Sequence, residues 1–268
     1  MHYLETPKGI KWHYELHGEG LPVLFIHGWG VNLRIWRQQI KYFSRSFRIL
    51  AIDLPGHGQT HWKKISLKEM VEDIEFIIKK CGFEKVGIVG SSLGGLVALK
   101  MYEVHPQAVS FIVFVGSQPK FAKSDDYPYG LDVGRFRKLS GQLQQNFQSM
   151  INIFFRSLFT KEERATRRFK WIQTFRKADF TPDKEAALSY LDVLEKEDLR
   201  QVLEKVSVPV QFINGTEDYI CRKEMFEQLQ EKMPQARFDW FSNCGHFPFL
   251  SQPYEFNKVL HNFLVGLH

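Results

Sequence analysis

The stretch Gly90-Ser91-Ser92-Leu93-Gly94 constrains this chain more than any other. It has the form G-x-S-x-G, and its flanks fit. A short apolar run at 86–89 precedes it. A helix-like run at 93–102 follows, with small residues where a helix must start close to a sheet. Strand, sharp turn and helix in that order are the setting of a nucleophile elbow. Such a turn forces its middle residue into an unfavourable backbone conformation, and the glycines two positions to either side leave room for it. Ser92 is then held up at the carboxyl edge of a sheet, above a helix N-terminus. It is the candidate nucleophile, and Ser91 lies one position out of register.

The surrounding sequence has the matching rhythm. The runs 23–26, 47–52, 86–89 and 111–115 are almost continuously apolar, which suits parallel strands covered on both faces. Helix candidates lie between them at 32–43, 66–81 and 93–102. Ser66-Leu-Lys-Glu69 reads as a capping box that opens the second. The alternation breaks at Gln118. From there to about Tyr190 the sequence predicts only helices, among them 135–143, 147–159 and 161–177. It then resumes with a strand at 208–213, a helix at 222–232, a strand at 237–241 and a helix at 254–265. An interrupted pattern of this kind predicts an α/β fold: a mostly parallel sheet with helices on both faces, carrying a helical insertion. The expected organisation is a core domain from 1–117 and 188–268, with a helical cap at 118–187.

Composition sets the outer bounds. A chain of 268 residues that is 44% hydrophobic can bury one large core. Phenylalanine supplies 24 residues, enough for both an aromatic core and an apolar pocket. The N-terminus lacks a basic stretch followed by an apolar one, so no secretory signal is expected. No apolar run approaches the length of a membrane span. Cys81, Cys221 and Cys244 are odd in number and far apart, consistent with reduced thiols and a cytoplasmic setting. The net charge of +6 is unevenly spread. Residues 133–177 hold eleven basic and two acidic residues, a net +9, which leaves −3 on the remainder.

A serine hydroxyl needs a base to take its proton and a third group to orient that base. Around an elbow of this type the partners follow in the order serine, acid, histidine. Phe212-Ile-Asn-Gly-Thr-Glu-Asp218 places Asp218 just past a late strand, after a glycine turn. Glu217 is its competitor, and the Gly-x-x-Asp spacing favours Asp218. Phe241-Ser-Asn-Cys-Gly-His246 places His246 in a loop after the last strand. His57 and His105 read as local turn and helix-end residues, and Cys244 as a small neighbour of His246. Acyl transfer passes through an oxyanion that two backbone N–H groups must face. Leu93, next after the serine, should supply one. Trp29, in the loop His27-Gly28-Trp29-Gly30 after an early strand, is the candidate for the other. No phosphate loop, dinucleotide fingerprint or metal-type spacing is present, so the expected chemistry needs neither cofactor nor metal.

With those residues in place the chain resembles the α/β-hydrolase superfamily over nearly its full length. Within it, the chain looks most like the pimeloyl-acyl-carrier-protein methyl ester carboxylesterases of biotin synthesis. The stretches that carry the resemblance are Leu24-Phe-Ile-His-Gly-Trp-Gly-Val-Asn32 with Trp36, Asp53-Leu-Pro-Gly-His-Gly58, and Ser92-Leu-Gly-Gly-Leu-Val-Ala98. The start of the insertion, Gly116-Ser-Gln-Pro119 through Tyr127-Pro128, matches as well. The resemblance implies Ser92 as nucleophile, His246 as general base and acid, and Asp218 as its orienting partner, with Trp29 and Leu93 as the oxyanion hole. It implies that Trp29 and Phe154 touch the substrate. It also implies that a basic lid, here Arg164, Arg167, Arg168 and Lys170, receives an acidic acyl carrier protein. Two positions depart from that family's pattern. Ser91 stands where a tryptophan is common, and the helix around Phe154 carries one arginine, Arg156, where the family tends to place more.

The reaction expected from these residues is hydrolysis of an acyl methyl ester by a monomeric serine carboxylesterase. The expected substrate is a small ester, presented on an acidic carrier. A second reading keeps the chemistry on free short-chain esters, as a general esterase, thioesterase or perhydrolase. A third is a slow, triad-bearing receptor for a small molecule. The basic segment lacks any nucleic-acid-binding motif, and neither nucleic acid nor membrane is an expected partner.

Overall fold

The computed structural model describes residues 2–176 and 181–267, without the side chains of residues 175 and 176. Eight strands form one sheet: β1 (His2–Glu5), β2 (Lys11–His17), β3 (Leu21–Ile26), β4 (Phe47–Ile52), β5 (Val86–Ser91), β6 (Val109–Val115), β7 (Val210–Gly215) and β8 (Arg237–Phe241). Their order is β1-β2-β4-β3-β5-β6-β7-β8. β1 and β2 pair antiparallel, as do β2 and β4, and every later pairing is parallel.

The helices are α1 (Arg37–Phe43), α2 (Leu67–Lys80), α3 (Leu93–Val104), α4 (Val133–Gln145), α5 (Phe147–Ser157), α6 (Lys161–Ala165), α7 (Arg167–Arg176), α8 (Lys184–Lys196), α9 (Arg200–Leu203), α10 (Lys223–Lys232), α11 (Pro248–Ser251) and α12 (Pro253–Val265). The connection from β3 to β4 runs one way along the sheet; those from β4 to β5 and β5 to β6 run the other way. Right-handed crossovers therefore put α1 on one face and α2 and α3 on the opposite face. α1 packs with α12, and α2 with α3. The reversal between β3 and β5 is the switch point at whose carboxyl ends an open α/β sheet leaves a crevice.

Register at the far side of the sheet is pinned by rings. Phe114, Phe212 and Phe238 are aligned partners on β6, β7 and β8. Their rings stack with centroids 4.9 Å apart at each step. Each such pair contributes about 0.5–1.5 kcal/mol beyond burial. The three strands so aligned end in the loops that carry Gly116, Asp218 and His246.

Several elements differ from the sequence pattern for identifiable reasons. β1 and β2 have no counterpart among the apolar runs, because their residues are mixed: Lys11-Trp-His-Tyr-Glu-Leu-His17 buries Trp12 and His13 and exposes Lys11 and His17. The helix expected at 32–43 begins as a 3₁₀ turn, Leu33–Trp36, capped by the Asn32 side chain. The stretch expected as one helix at 161–177 is two. Thr166 is extended, and its hydroxyl accepts the Phe169 N–H at 3.0 Å, starting a new helix. Lys177, the last residue of that stretch, lies outside the described residues. The Ser66–Glu69 capping box is present with both reciprocal bonds. No strand lies between β6 and β7 among the described residues. The position 187/188, expected as a domain boundary, falls inside α8.

Candidate active site

The elbow follows from local backbone demands. Ser92 has φ 53° and ψ −117°, a conformation that costs a non-glycine residue about 1–3 kcal/mol. Neighbouring bonds hold it there. The Ser92 N–H donates to Val115 O at 2.9 Å, and the Ser117 hydroxyl donates to Ser92 O at 2.7 Å. Gly94 is required because a Cβ there would overlap Ile26 O, so α3 starts hard against β3.

The acid and the histidine arrive on the ends of β7 and β8. Asp218 Oδ1 accepts the N–H groups of Ile220 at 2.9 Å and Cys221 at 3.2 Å. That fixes the carboxylate and points Oδ2 at His246 Nδ1, 2.7 Å away. Both side chains are almost fully buried, whereas Glu217 is exposed. A proton on Nδ1, facing the carboxylate, is the tautomer that leaves the Nε2 lone pair to accept from a hydroxyl. Ser92 and His246 line the same cavity. Gly116, with φ +52°, makes room for the ring: a Cβ there would stand 3.1 Å from His246 Nδ1.

Two main-chain amides stand by the serine. The Leu93 N–H belongs to the first turn of α3 and has no acceptor within the helix. Gly28 lies against the elbow, where a Cβ would come within 3.2 Å of Ser92 Cβ, and Trp29 follows it. No hydrogen bond among the described residues occupies the Trp29 N–H. The loop is held by two buried histidines. His27 Nε2 accepts the Leu54 N–H at 2.9 Å, and His57 Nε2 accepts the Gly30 N–H at 3.3 Å. His57 Nδ1 meets Pro55 O of its own turn at 3.3 Å, the local role expected, but its bond to Gly30 spans 27 positions and ties that turn to the early loop.

Burial drives the pKa of His27 down and that of His57 well down, the latter helped by repulsion from His27. The unfolded chain therefore binds protons that the folded one refuses. Stability is full above the ordinary histidine range and falls as pH drops below about 6.5, by up to about 1.4 kcal/mol per pH unit for each histidine. Thermal unfolding between pH 7.5 and 5.5 at constant ionic strength should show that decline. The slope should be smaller in His57→Gln.

The cavity, of about 220 Å³, is roofed by the insertion and lined mainly by apolar side chains. Trp29 and Phe154 meet edge to face at 4.8 Å inside it. The Trp29 indole N–H donates to Ala187 O on α8 at 2.8 Å, tying the early loop to the roof. Arg135 is the single fixed charge lining the cavity among the described residues. The Tyr219 hydroxyl, next to Asp218, shares a 2.9 Å bond with Ser157 on α5.

The four basic lid residues divide into two pairs. Arg164 donates to Phe159 O at 2.6 Å and to Arg156 O at 3.2 Å. Arg168 donates to Leu250 O at 2.7 Å and to the Gln38 side chain, which pins α7 to the core. Arg167 and Lys170 are exposed, and their side chains enter no hydrogen bond or ion pair among the described residues.

Asp218, Cys221 and His246 also present ligand-type atoms within 4.8 Å of one another. Their bonding suits proton transfer instead. Both carboxylate oxygens are occupied, and burial pushes the Cys221 thiol far up, keeping it protonated. Cys244 is held protonated by burial and the nearby Glu163 charge, so it offers no second nucleophile. Sequence reasoning missed Ser117, Tyr219 and the insertion residues that touch the His246 loop. Only Gly116-Ser117, at a strand end, carries a local signal.

Comparisons agree with this architecture. The family model described as alpha/beta hydrolase fold matches residues 22–253. A pimeloyl-[acyl-carrier protein] methyl ester esterase of Nitrosomonas europaea is 30% identical over 245 residues, covering 91% of this chain and 96% of that one. Among solved structures, an esterase from Exiguobacterium antarcticum is similar with a TM-score of 0.89 and 26% identity over 97% of this chain and 98% of its own. A bromoperoxidase from Bacillus anthracis shares the fold with a TM-score of 0.88 at 23% identity, over 98% and 99% of the two chains. The switch-point crevice, the strained serine and the family match over most of the length lead to one conclusion: the chain belongs to the α/β-hydrolase fold family.

Proposed function

We propose that this protein is a serine carboxylesterase that hydrolyses the methyl ester of a pimeloyl chain carried on an acyl carrier protein, a reaction of biotin synthesis. The observation that carries the chemistry is the 2.7 Å bond from His246 Nδ1 to Asp218 Oδ2, inside the cavity that Ser92 lines. The substrate follows from the N. europaea relative, which covers nearly the whole chain.

In this reading Ser92 Oγ attacks the ester carbonyl and its proton passes to His246 Nε2. The Asp218 carboxylate stabilises the imidazolium so formed. The Leu93 and Trp29 N–H groups receive the oxyanion. Collapse expels methanol, which takes the proton from His246 and leaves an acyl-enzyme. Water, deprotonated by His246, attacks the acyl carbon, and the free carboxylic acid departs as Ser92 regains its proton. No cofactor or metal enters these steps. The apolar cavity accepts the alkyl chain, with Phe154 and the Trp29 ring against it.

The exposed Arg167 and Lys170 are the lid charges available to an acidic carrier. Arg164 and Arg168 shape the lid itself. The protein works in the cytoplasm as a monomer. No helix among the described residues is long and apolar enough to cross a membrane.

The test compares carrier-bound and free methyl esters. The Arg167→Glu, Lys170→Glu double variant should lose about 10-fold or more in kcat/KM on the carrier-bound ester, and rising salt should mimic it, because the attraction is screened over about a Debye length. Hydrolysis of a free short-chain ester should hardly change. Equal effects on both substrates would remove the carrier from the proposal. Arg168→Glu should weaken both by loosening α7.

A further inference from the structure

We infer that Glu163, in the insertion, is a positioning residue for the catalytic histidine; the inference rests on His246 being the base of Ser92. One carboxylate oxygen does two jobs. Glu163 Oε2 accepts the Thr160 N–H at 2.6 Å, closing the capping box of α6, and also accepts the Gly245 N–H at 3.1 Å. Next along, the His246 N–H donates to Leu158 O at 2.8 Å. The two consecutive amides that lead into the histidine are thus both held by insertion residues 158 and 163. The core side holds the same loop through Cys244 O, which accepts the Glu217 N–H at 3.0 Å. The loop is clamped from both sides, next to the residue whose ring must aim at Ser92.

The contact is close and largely buried. Glu163 is 9% exposed. A Cβ on Gly245 would meet Glu163 Oε2 at 3.1 Å and overlap Leu158 O, so only glycine lets the insertion approach this far. Without the carboxylate, a buried N–H would have no acceptor, and the loop would shift to find one. Displacement of a catalytic group by about 1 Å costs about 100-fold in rate. The insertion is therefore part of the frame that aims the histidine, besides roofing the cavity.

The test uses the full chain and a small neutral p-nitrophenyl ester, which needs no carrier. Glu163→Ala should lower kcat by about 10- to 100-fold with KM nearly unchanged. The low-field proton resonance of His246 Nδ1–H should broaden or vanish with it. Glu163→Gln should recover most of kcat, because Oε2 makes both bonds while Oε1 has no partner among the described residues, so an amide oxygen can replace it. Thr160→Ala removes the other half of the capping box, where Thr160 Oγ1 accepts the Glu163 N–H at 3.0 Å, and leaves the Gly245 bond in place. It should keep kcat. If Glu163→Ala does not fold, Glu163→Asp, one methylene short, should show the same loss. Wild-type kcat in Glu163→Ala, or equal losses in Glu163→Ala and Thr160→Ala, would overturn the inference. Full turnover by Ser92→Ala would instead overturn the triad reading beneath it.

Discussion

Ser92→Ala should abolish ester hydrolysis while leaving the fold intact. Loss of a nucleophile in such a triad costs up to about 10⁶-fold in kcat, the residue being what binding and the oxyanion donors provide alone. The fold should survive because the bonds that hold the elbow are main-chain ones or come from Ser117: Ser92 N–H to Val115 O, and Ser117 Oγ to Ser92 O. No described hydrogen bond uses Ser92 Oγ, so its removal orphans no buried partner. Steady-state turnover of a small ester, read beside thermal unfolding, gives the answer. A variant with native unfolding temperature and undiminished turnover would end the reading of Ser92 as the nucleophile.

Asp218→Asn should be nearly as severe, at about 10⁴-fold in kcat. The substitution preserves shape. An asparagine carbonyl oxygen in the place of Oδ1 can still accept from Ile220 and Cys221, which leaves the amide NH₂ facing His246 Nδ1. That nitrogen must then accept, so the ring proton moves to Nε2, where the lone pair was needed. The histidine is in place but in the wrong tautomer. Activity should fall with little change in KM or unfolding temperature, and the low-field Nδ1–H resonance should disappear. A modest, KM-dominated loss would point to Glu217 or another acid as the partner.

Both results concern residues that one sequence suffices to find, and the reason is local. The elbow needs a strained serine with small neighbours at fixed offsets, so Gly90, Ser92 and Gly94 fall within five positions. Asp218 and His246 each follow a strand by a short turn, and the Gly-x-x-Asp spacing separates Asp218 from Glu217. The central strands are legible for a related reason: burial on both faces demands near-continuous apolar runs. The hairpin of β1 and β2 escaped because an edge of mixed polarity leaves no such run.

The roles of the insertion's charges lay beyond that reach. As sequence, Arg164, Arg167, Arg168 and Lys170 are one basic cluster. In the fold, Arg168 reaches Leu250, 82 positions away, and Arg164 reaches back to the carbonyls of Phe159 and of Arg156 on α5, while Arg167 and Lys170 face solvent. Glu163 is the sharper case. Thr160-Lys-Glu-Glu163 announces a helix cap, but nothing near it announces Gly245. The sequence by itself determined the fold class and picked out the serine, acid and histidine proposed here as the triad, because strained turns and buried strands restrict which residues can stand within a few positions of each other. Only the tertiary structure decided which lid charges are free, what roofs the cavity and what steadies the histidine. Those contacts join residues far apart in the chain, and an acceptor's choice of a distant amide leaves no mark on its own neighbours.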